Sequence, residues 1–349
     1  MKQIYVQAQA DHIESLFKGS PLSALEELVW NALDADAREV KIDLILNQMQ
    51  GIEAVRVADD GTGIDVLNAD HTFGNLGGSW KRDGKGTPLA GRRLHGRQGR
   101  GRFKAFALGT LVEWRTTTRV GTEMLSYTIS GAADRPGVFD LESVSNIGPA
   151  TGTEVYVTNI RAAADSLGNV GETVSNLAAK FALYLKSYPD VRIYFNGIPV
   201  TPVIVQQRVS DYVIQLGNNH EAKLEIIEWK RKFTGAGRLV FAGPDGFQLH
   251  EQSIGVRSGS DVPYTAYLVS PRIPVLHAEN ALVMDELNPE VRQLIDETKK
   301  ILKAHFLTYA EDTSAFESAW RERIDELSQE ECKKLMALLK KRMKSKKTK

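Results

Sequence analysis

The segment Glu27-Leu-Val-Trp-Asn31-Ala-Leu-Asp34 sets two acids and an amide at i, i+4 and i+7, on one face of a predicted helix. Its neighbours Leu25, Leu28, Val29, Ala32 and Leu33 are apolar, so this polar stripe borders a core face. Such a trio suits ATP chemistry. A carboxylate at Glu27 would orient a water for attack on a γ-phosphate, and the Asn31 amide oxygen one turn later would hold Mg²⁺. By spacing alone the same pattern also describes a solvated helix face.

Three further motifs follow in the chain. The alternating run Ala54-Val-Arg-Val-Ala58 reads as a strand that stops at Asp59-Asp-Gly61-Thr-Gly63-Ile64. A strand-end carboxylate can accept from a purine amino group, and glycines let backbone lie close under the ring; an ordinary acidic turn is the alternative. Next comes Gly96-Arg-Gln-Gly99-Arg-Gly101-Arg-Phe-Lys104, whose glycines before an apolar helical stretch can wrap backbone N–H groups around phosphate oxygens. It does not fit a dinucleotide fingerprint, which opens the first βα unit and has an acid on the next strand. Lastly Gly152-Thr153 opens the alternating strand Glu154-Val-Tyr-Val-Thr158, where the hydroxyl would reach a base or a water beside it.

In this order the four motifs resemble the GHKL ATPase superfamily, over roughly residues 10–160. The resemblance implies a Bergerat-type nucleotide site in which Glu27 polarises water, Asn31 ligates Mg²⁺ and Asp59 contacts adenine. It places Gly61 and Gly63 along the base, Gly96, Gly99 and Gly101 along the phosphates, and Thr153 at the adenine edge. Histidine kinases of the superfamily lack the water-activating acid, so Glu27 favours hydrolysis over phosphotransfer.

From Lys81 to Lys104 there are nine Lys or Arg and a single acid, Asp83. The resemblance makes this the ATP lid, with Phe73-Gly-x-x-Gly77-x-Ser79-x-Lys81 similar to the lid entry of MORC and heat-shock chaperone ATPases, and with cations such as Lys81 and Lys104 closing over the phosphates. Lys104 departs from the MORC pattern, in which lysine stands where this chain has Phe103. Leu287-Asn-Pro-Glu-Val-Arg292 resembles, one residue out of register, the chaperone segment whose arginine reaches the γ-phosphate. Arg292 is thereby a candidate catalytic cation, against a helix-surface charge paired with Glu290 or Asp296; Lys230, Arg231 and Lys232 are the next candidates.

The elements needed to position these residues are legible in outline. Ser20-Pro21 offers a helix cap followed by proline at the first helical position. Val40, Ile42, Leu44 and Leu46 alternate as a half-buried strand, and residues 110–160 hold further short alternating runs. The predicted class is α+β: an antiparallel-rich sheet with helices on one face for the ATP-binding unit, residues 1–160. A helix from Gly171 to Ser187 and a strand Val191–Phe195 ending at the turn Asn196-Gly197 are read as opening a second unit, residues 161–310. Strands at 222–229, 237–241 and 265–269 and a helix from Pro289 to about Tyr309 complete it. The superfamily resemblance implies a ribosomal-S5-like transducer there. Residues 311–349 form a helix with Phe316, Trp320, Ile324 and Leu327 at helical spacing, then a basic tail.

Composition narrows the classes. With 349 residues and 42% hydrophobic content the chain can bury two cores. The single cysteine, Cys332, excludes an intrachain disulfide and a four-cysteine metal site, and the seven histidines show no ligand spacing, so Mg²⁺ carried by the nucleotide is the expected metal. Lacking an apolar run near the length of a membrane span, the sequence predicts a soluble, cytoplasmic protein with no membrane partner. After Cys332 there are nine Lys or Arg and no acid, a tail that suits salt-dependent binding of nucleic-acid phosphates or a solvated terminus. The reading is an ATP-dependent homodimer acting as a clamp, on DNA through tail or lid. A chaperone-like ATPase and an ATP-binding subunit of a multiprotein, defence-type assembly remain open. A protein kinase is disfavoured, because His12 within Asp11-His-Ile-Glu14 has no supporting motif.

Overall fold

A computed structural model describes residues 9–75, 86–95, 101–142, 150–216, 220–231, 237–258, 262–285 and 287–325. Lys81, Lys232, Gly96, Gly99, Leu327 and the basic tail lie outside the described residues. The chain opens with α1 (Ala10–Ser15) and α2 (Pro21–Asp34). The predicted cap forms: Ser20 Oγ accepts from Ser23 N at 3.1 Å and Pro21 takes the first helical position, where a missing N–H costs nothing.

Eight strands build the first sheet: β1 (Glu39–Leu46), β2 (Ile52–Asp59), β3 (Gly109–Val120), β4 (Glu123–Ala132), β5 (Phe139–Leu141), β6 (Gly152–Ile160), β7 (Arg192–Phe195) and β8 (Ile198–Pro199), in the order β5-β4-β3-β6-β2-β1-β7-β8. Neighbours are antiparallel except β1 and β7, which run parallel with Val40 opposite Ile193. Short helices α3 (Ala69–Gly74) and α4 (Gly101–Lys104) flank the insert between β2 and β3. Helices α5 (Val170–Lys180) and α6 (Ala182–Ser187) follow β6.

Alternation decides the faces of this sheet. Val40, Ile42, Val55, Val57, Val112 and Val157 are buried against Leu25, Leu28, Val29 and Leu33 of α2 and Leu177 and Phe181 beyond it. The opposite face is charged, with Arg56 holding Asp43 at 3.0 Å and Glu154 at 2.8 Å.

A second sheet follows the one-turn helix α7 (Pro202–Val205) and consists of β9 (Gln206–Leu216), β10 (His220–Trp229), β11 (Arg238–Ala242), β12 (Gln248–Ser253) and β13 (Tyr264–Val269), ordered β12-β11-β13-β10-β9. On one face Leu224, Ile226 and Phe241 pack with α8 (Arg272–Ala278) and α9 (Pro289–Asp325), through Ile273, Leu276, Val291, Leu294 and Leu302. On the other, Ile227, Trp229, Val240 and Tyr267 meet Ala179, Ala182 and Leu183, so the α5–α6 pair lies between the two sheets. The Tyr267 hydroxyl donates to Ala179 O at 2.8 Å across that contact.

Several sequence expectations change. The strand over 192–195 pairs with β1 and belongs to the first sheet, and the change of sheet comes at Gln206. The helix over 171–187 is two helices meeting at Phe181. α9 runs unbroken from Pro289 to Asp325, where the pattern suggested a stop near Tyr309. Among the described residues no helix is long and apolar enough to cross a membrane.

Candidate functional site

Helix α2, the ends of β2 and β6 and the β2–β3 insert enclose a cavity of about 1030 Å³. Glu27, Asn31, Asp59, Gly63, Gly101, Lys104 and Thr153 all line it. One helix supplies Glu27 and Asn31 because side chains four apart share a face. Pairing of β2 with β6 brings Asp59 opposite Thr153, joining residues that are far apart in the chain.

The Asp59 carboxyl is buried. Its Oδ1 accepts from Gly61 N at 2.8 Å and Thr153 N at 3.3 Å. Burial pushes its pKa up to about 6, the two N–H bonds pull it back and Asp60 adds a small upward push. At neutral pH it remains an ionised acceptor in an apolar wall, which suits the amino group of a purine. Beside it the Thr153 and Thr116 hydroxyls share a 3.0 Å hydrogen bond, and Thr116 Oγ1 also accepts from Ile64 N at 2.9 Å. Gly63 has φ +74°, and a Cβ there would stand 2.1 Å from Thr117 O, so the turn under the cavity requires glycine for the protein's own packing. Gly61 lies tight against Ala35 O.

Also on the lining, Lys104 Nζ stands 3.1 Å from Glu27 Oε2. A Cβ on Gly101 would come within 2.2 Å of Glu27 Oε1, so this glycine makes room for the carboxylate as well as bordering the cavity. Lys104, whose place in the motif departs from the MORC pattern, is therefore at the site. Arg292 is not: it is exposed on α9 beside Leu287, Pro289 and Asp296, away from the cavity. Glu290, suggested as its partner, is held instead by Arg272 at 2.7 and 2.9 Å. Lys230 donates to Ile204 O, and neither it nor Arg231 lines the cavity.

Sequence reasoning missed how the insert is anchored. Asp36, at φ +63° just past α2, accepts from Thr87 Oγ1, Leu89 N at 2.6 Å and Ala90 N at 3.2 Å, and pairs with the buried Arg92 at 3.5 Å. Arg92 also donates to Ala37 O, and His95 N donates to Asp34 Oδ1 at 2.7 Å. The acids of Asp34-Ala-Asp36 and the cations of Arg92-Arg93 were the available signal: a basic insert needs counter-ions. The second sheet also reaches the cavity, through Phe247, Gln248 and Leu249, as does His277 of α8.

Residues 20–136 match the protein family described as "Histidine kinase-, DNA gyrase B-, and HSP90-like ATPase". Over this region the chain is similar to ATPases of the GHKL superfamily. A GHKL region implies ATP binding, and the match takes in Glu27, Asn31, Asp59, Gly63, Gly101 and Lys104. Two DNA mismatch repair proteins MutL, from Anaeromyxobacter sp. (strain K) and Anaeromyxobacter dehalogenans, are each 32% identical to the chain over 171 residues, covering 45% of it and 26% of the relative. The chain thus spans about a quarter of the length of the relatives it matches.

Proposed function

We propose that the chain is a Mg²⁺-dependent ATP hydrolase that works as an ATP-gated dimerising clamp, its second sheet serving as an S5-like transducer. The observation that carries the reading is the meeting, in one cavity, of Glu27 and Asn31 on α2 with the buried acceptor Asp59 at the end of β2. Asp59 and Thr153 fix the base, and Gly101 and Lys104 border the phosphates. Glu27 takes a proton from water as the water oxygen bonds to the γ-phosphorus; the β–γ bridging bond breaks and its electron pair leaves with ADP. Mg²⁺, when bound, neutralises the phosphate charge. Asn31 is the protein oxygen that would hold it, and this donor set fits a metal whose remaining ligands are phosphate and water. Among the described residues no group of three or more His, Cys, Asp or Glu is placed to hold a metal by itself. Arg292 enters only if α9 carries it to the cavity.

The named function of the two relatives supports a DNA substrate for the clamp. A second reading, an ATP-binding subunit with little turnover, is favoured by one observation: Glu27 is engaged by Lys104.

Glu27→Ala tests the mechanism. Hydrolysis should vanish while Mg·ATP binding stays within about threefold, because the residue acts on the water. The same variant should scatter light as a dimer with ATP and as a monomer without it, alone and with DNA at low and moderate salt. Normal turnover would remove Glu27 from the mechanism; a monomer at saturating ATP would sink the clamp.

A further inference from the structure

We infer that Lys104 is a transferable counter-ion: it neutralises Glu27 until a third phosphate enters, then moves to that phosphate and leaves Glu27 able to accept a proton. The inference rests on the hydrolase reading above and adds to it a way for the site to distinguish ATP from ADP.

The geometry separates a fixed base from a movable arm. Lys104 ends the single turn α4, whose neighbours Phe103, Ala105 and Phe106 are buried in the core of the first sheet, so its backbone is held. Its side chain is 40% exposed and lines the cavity on a flexible four-carbon stem. Glu27 is the confined partner. Its side chain is 13% exposed, with Lys104 at Oε2 and the Cβ-less edge of Gly101 at Oε1. With the Lys104 ammonium 3.1 Å from Oε2, a water oriented by Glu27 is left with the Oε1 edge beside Gly101. The partially buried Glu26 is adjacent, and Lys104 is among the charges that act on it together with Lys180, Glu251 and Glu27. A lysine placed only to balance these acids would stay where it is whatever the nucleotide. A transferable one would favour the more highly charged terminal phosphate of ATP and return to Glu27 once only ADP remained.

The two cases separate by binding measurements, without reference to turnover. Calorimetry with ADP and with a non-hydrolysable triphosphate gives the affinity ratio that a third phosphate confers. In Lys104→Met this ratio should fall by about tenfold or more, the worth of one charge-assisted contact, with ADP affinity unchanged. In Glu27→Gln the triphosphate should bind about threefold more tightly than in wild type, because Lys104 no longer leaves an anion behind, and the gain should disappear in the double variant. An unchanged ratio in Lys104→Met, or a gain that persists in the double variant, would overturn the inference. Should Lys104→Met fail to fold, Lys104→Gln with the same ratio takes its place. Failure of the hydrolase reading registers separately, as normal turnover in Glu27→Ala.

Discussion

The rings of Trp30 and His95 lie face to face, their centroids 4.5 Å apart and their planes 8° from parallel. Trp30 sits on α2 between Glu27 and Asn31, and Phe247 of the β11–β12 turn lies 5.5 Å from both rings. Helix, insert and second sheet therefore meet at one aromatic cluster, of which His95 and Phe247 line the cavity. Arg93 adds a cation over Phe247 and stands 3.8 Å from Asp245.

Asp36 should prove a larger contributor to stability than its place in a turn suggests. Asp36→Ala leaves the buried Arg92 guanidinium without its carboxylate and frees three other donors, which should cost about 3–5 kcal/mol. Urea unfolding reads this out, with Asp36→Asn as the control that keeps the preference for positive φ. Equal midpoints for wild type and Asp36→Ala would show that the insert is held by other contacts.

Asp59 should make both stability and nucleotide affinity depend on pH, in opposite directions. Its folded pKa of about 6 lies above the ordinary carboxylate value because of burial. The native state then holds the proton through the window from about 4 to 6, so this group's contribution is full below the window and is lost as pH rises through it, by about 3 kcal/mol. Relative to Asp59→Asn, wild type should gain stability as pH falls from about 7 to 5. An adenine amino group needs the ionised form, so ADP affinity should weaken below about pH 6 in wild type and show only the nucleotide's own titration in Asp59→Asn. At neutral pH that variant should bind about tenfold to a hundredfold more weakly, and equal dissociation constants would place the base elsewhere.

A buried chain of polar groups ties α9 to the second sheet: His305 bonds the Tyr212 hydroxyl at 2.8 Å through Nδ1 and Glu228 at 3.0 Å through Nε2. His305→Leu removes the group that Glu228 faces and should destabilise the protein by about 2–4 kcal/mol, whereas Glu228→Gln, which keeps a hydrogen-bonding partner, should cost less. Guanidinium unfolding of the two variants compares them. A milder effect from His305→Leu than from Glu228→Gln would show that the chain does not hold the helix.

Local signals read well in the sequence. The Ser20-Pro21 cap, the alternation in β1 and β2 and the Asn196-Gly197 turn, with φ of 47° and 74°, are each decided within a few residues. Glu27 and Asn31 were legible for the same reason, being one turn apart on a single helix. In the second sheet two strands escaped because they are its edges: β9 and β12 carry polar residues on both faces, and Val209 and Val213 of β9 are exposed. The Asp36–Arg92 anchor and the Phe247 contact escaped because they join distant parts of the chain. The contact of Lys104 with Glu27 escaped for the same reason, since it joins residues far apart in the chain.

The parallel seat of β7 beside β1 also sets an order of events on the ribosome. β1 and its partner β2 are adjacent in the chain, yet the other edge of β1 stays open until residues 192–195 have emerged, after α5 and α6. Until then the nascent chain presents an unpaired strand edge beside Val40 and Ile42. A fragment ending near residue 160 would keep that edge permanently, and would tend to associate with other copies through it.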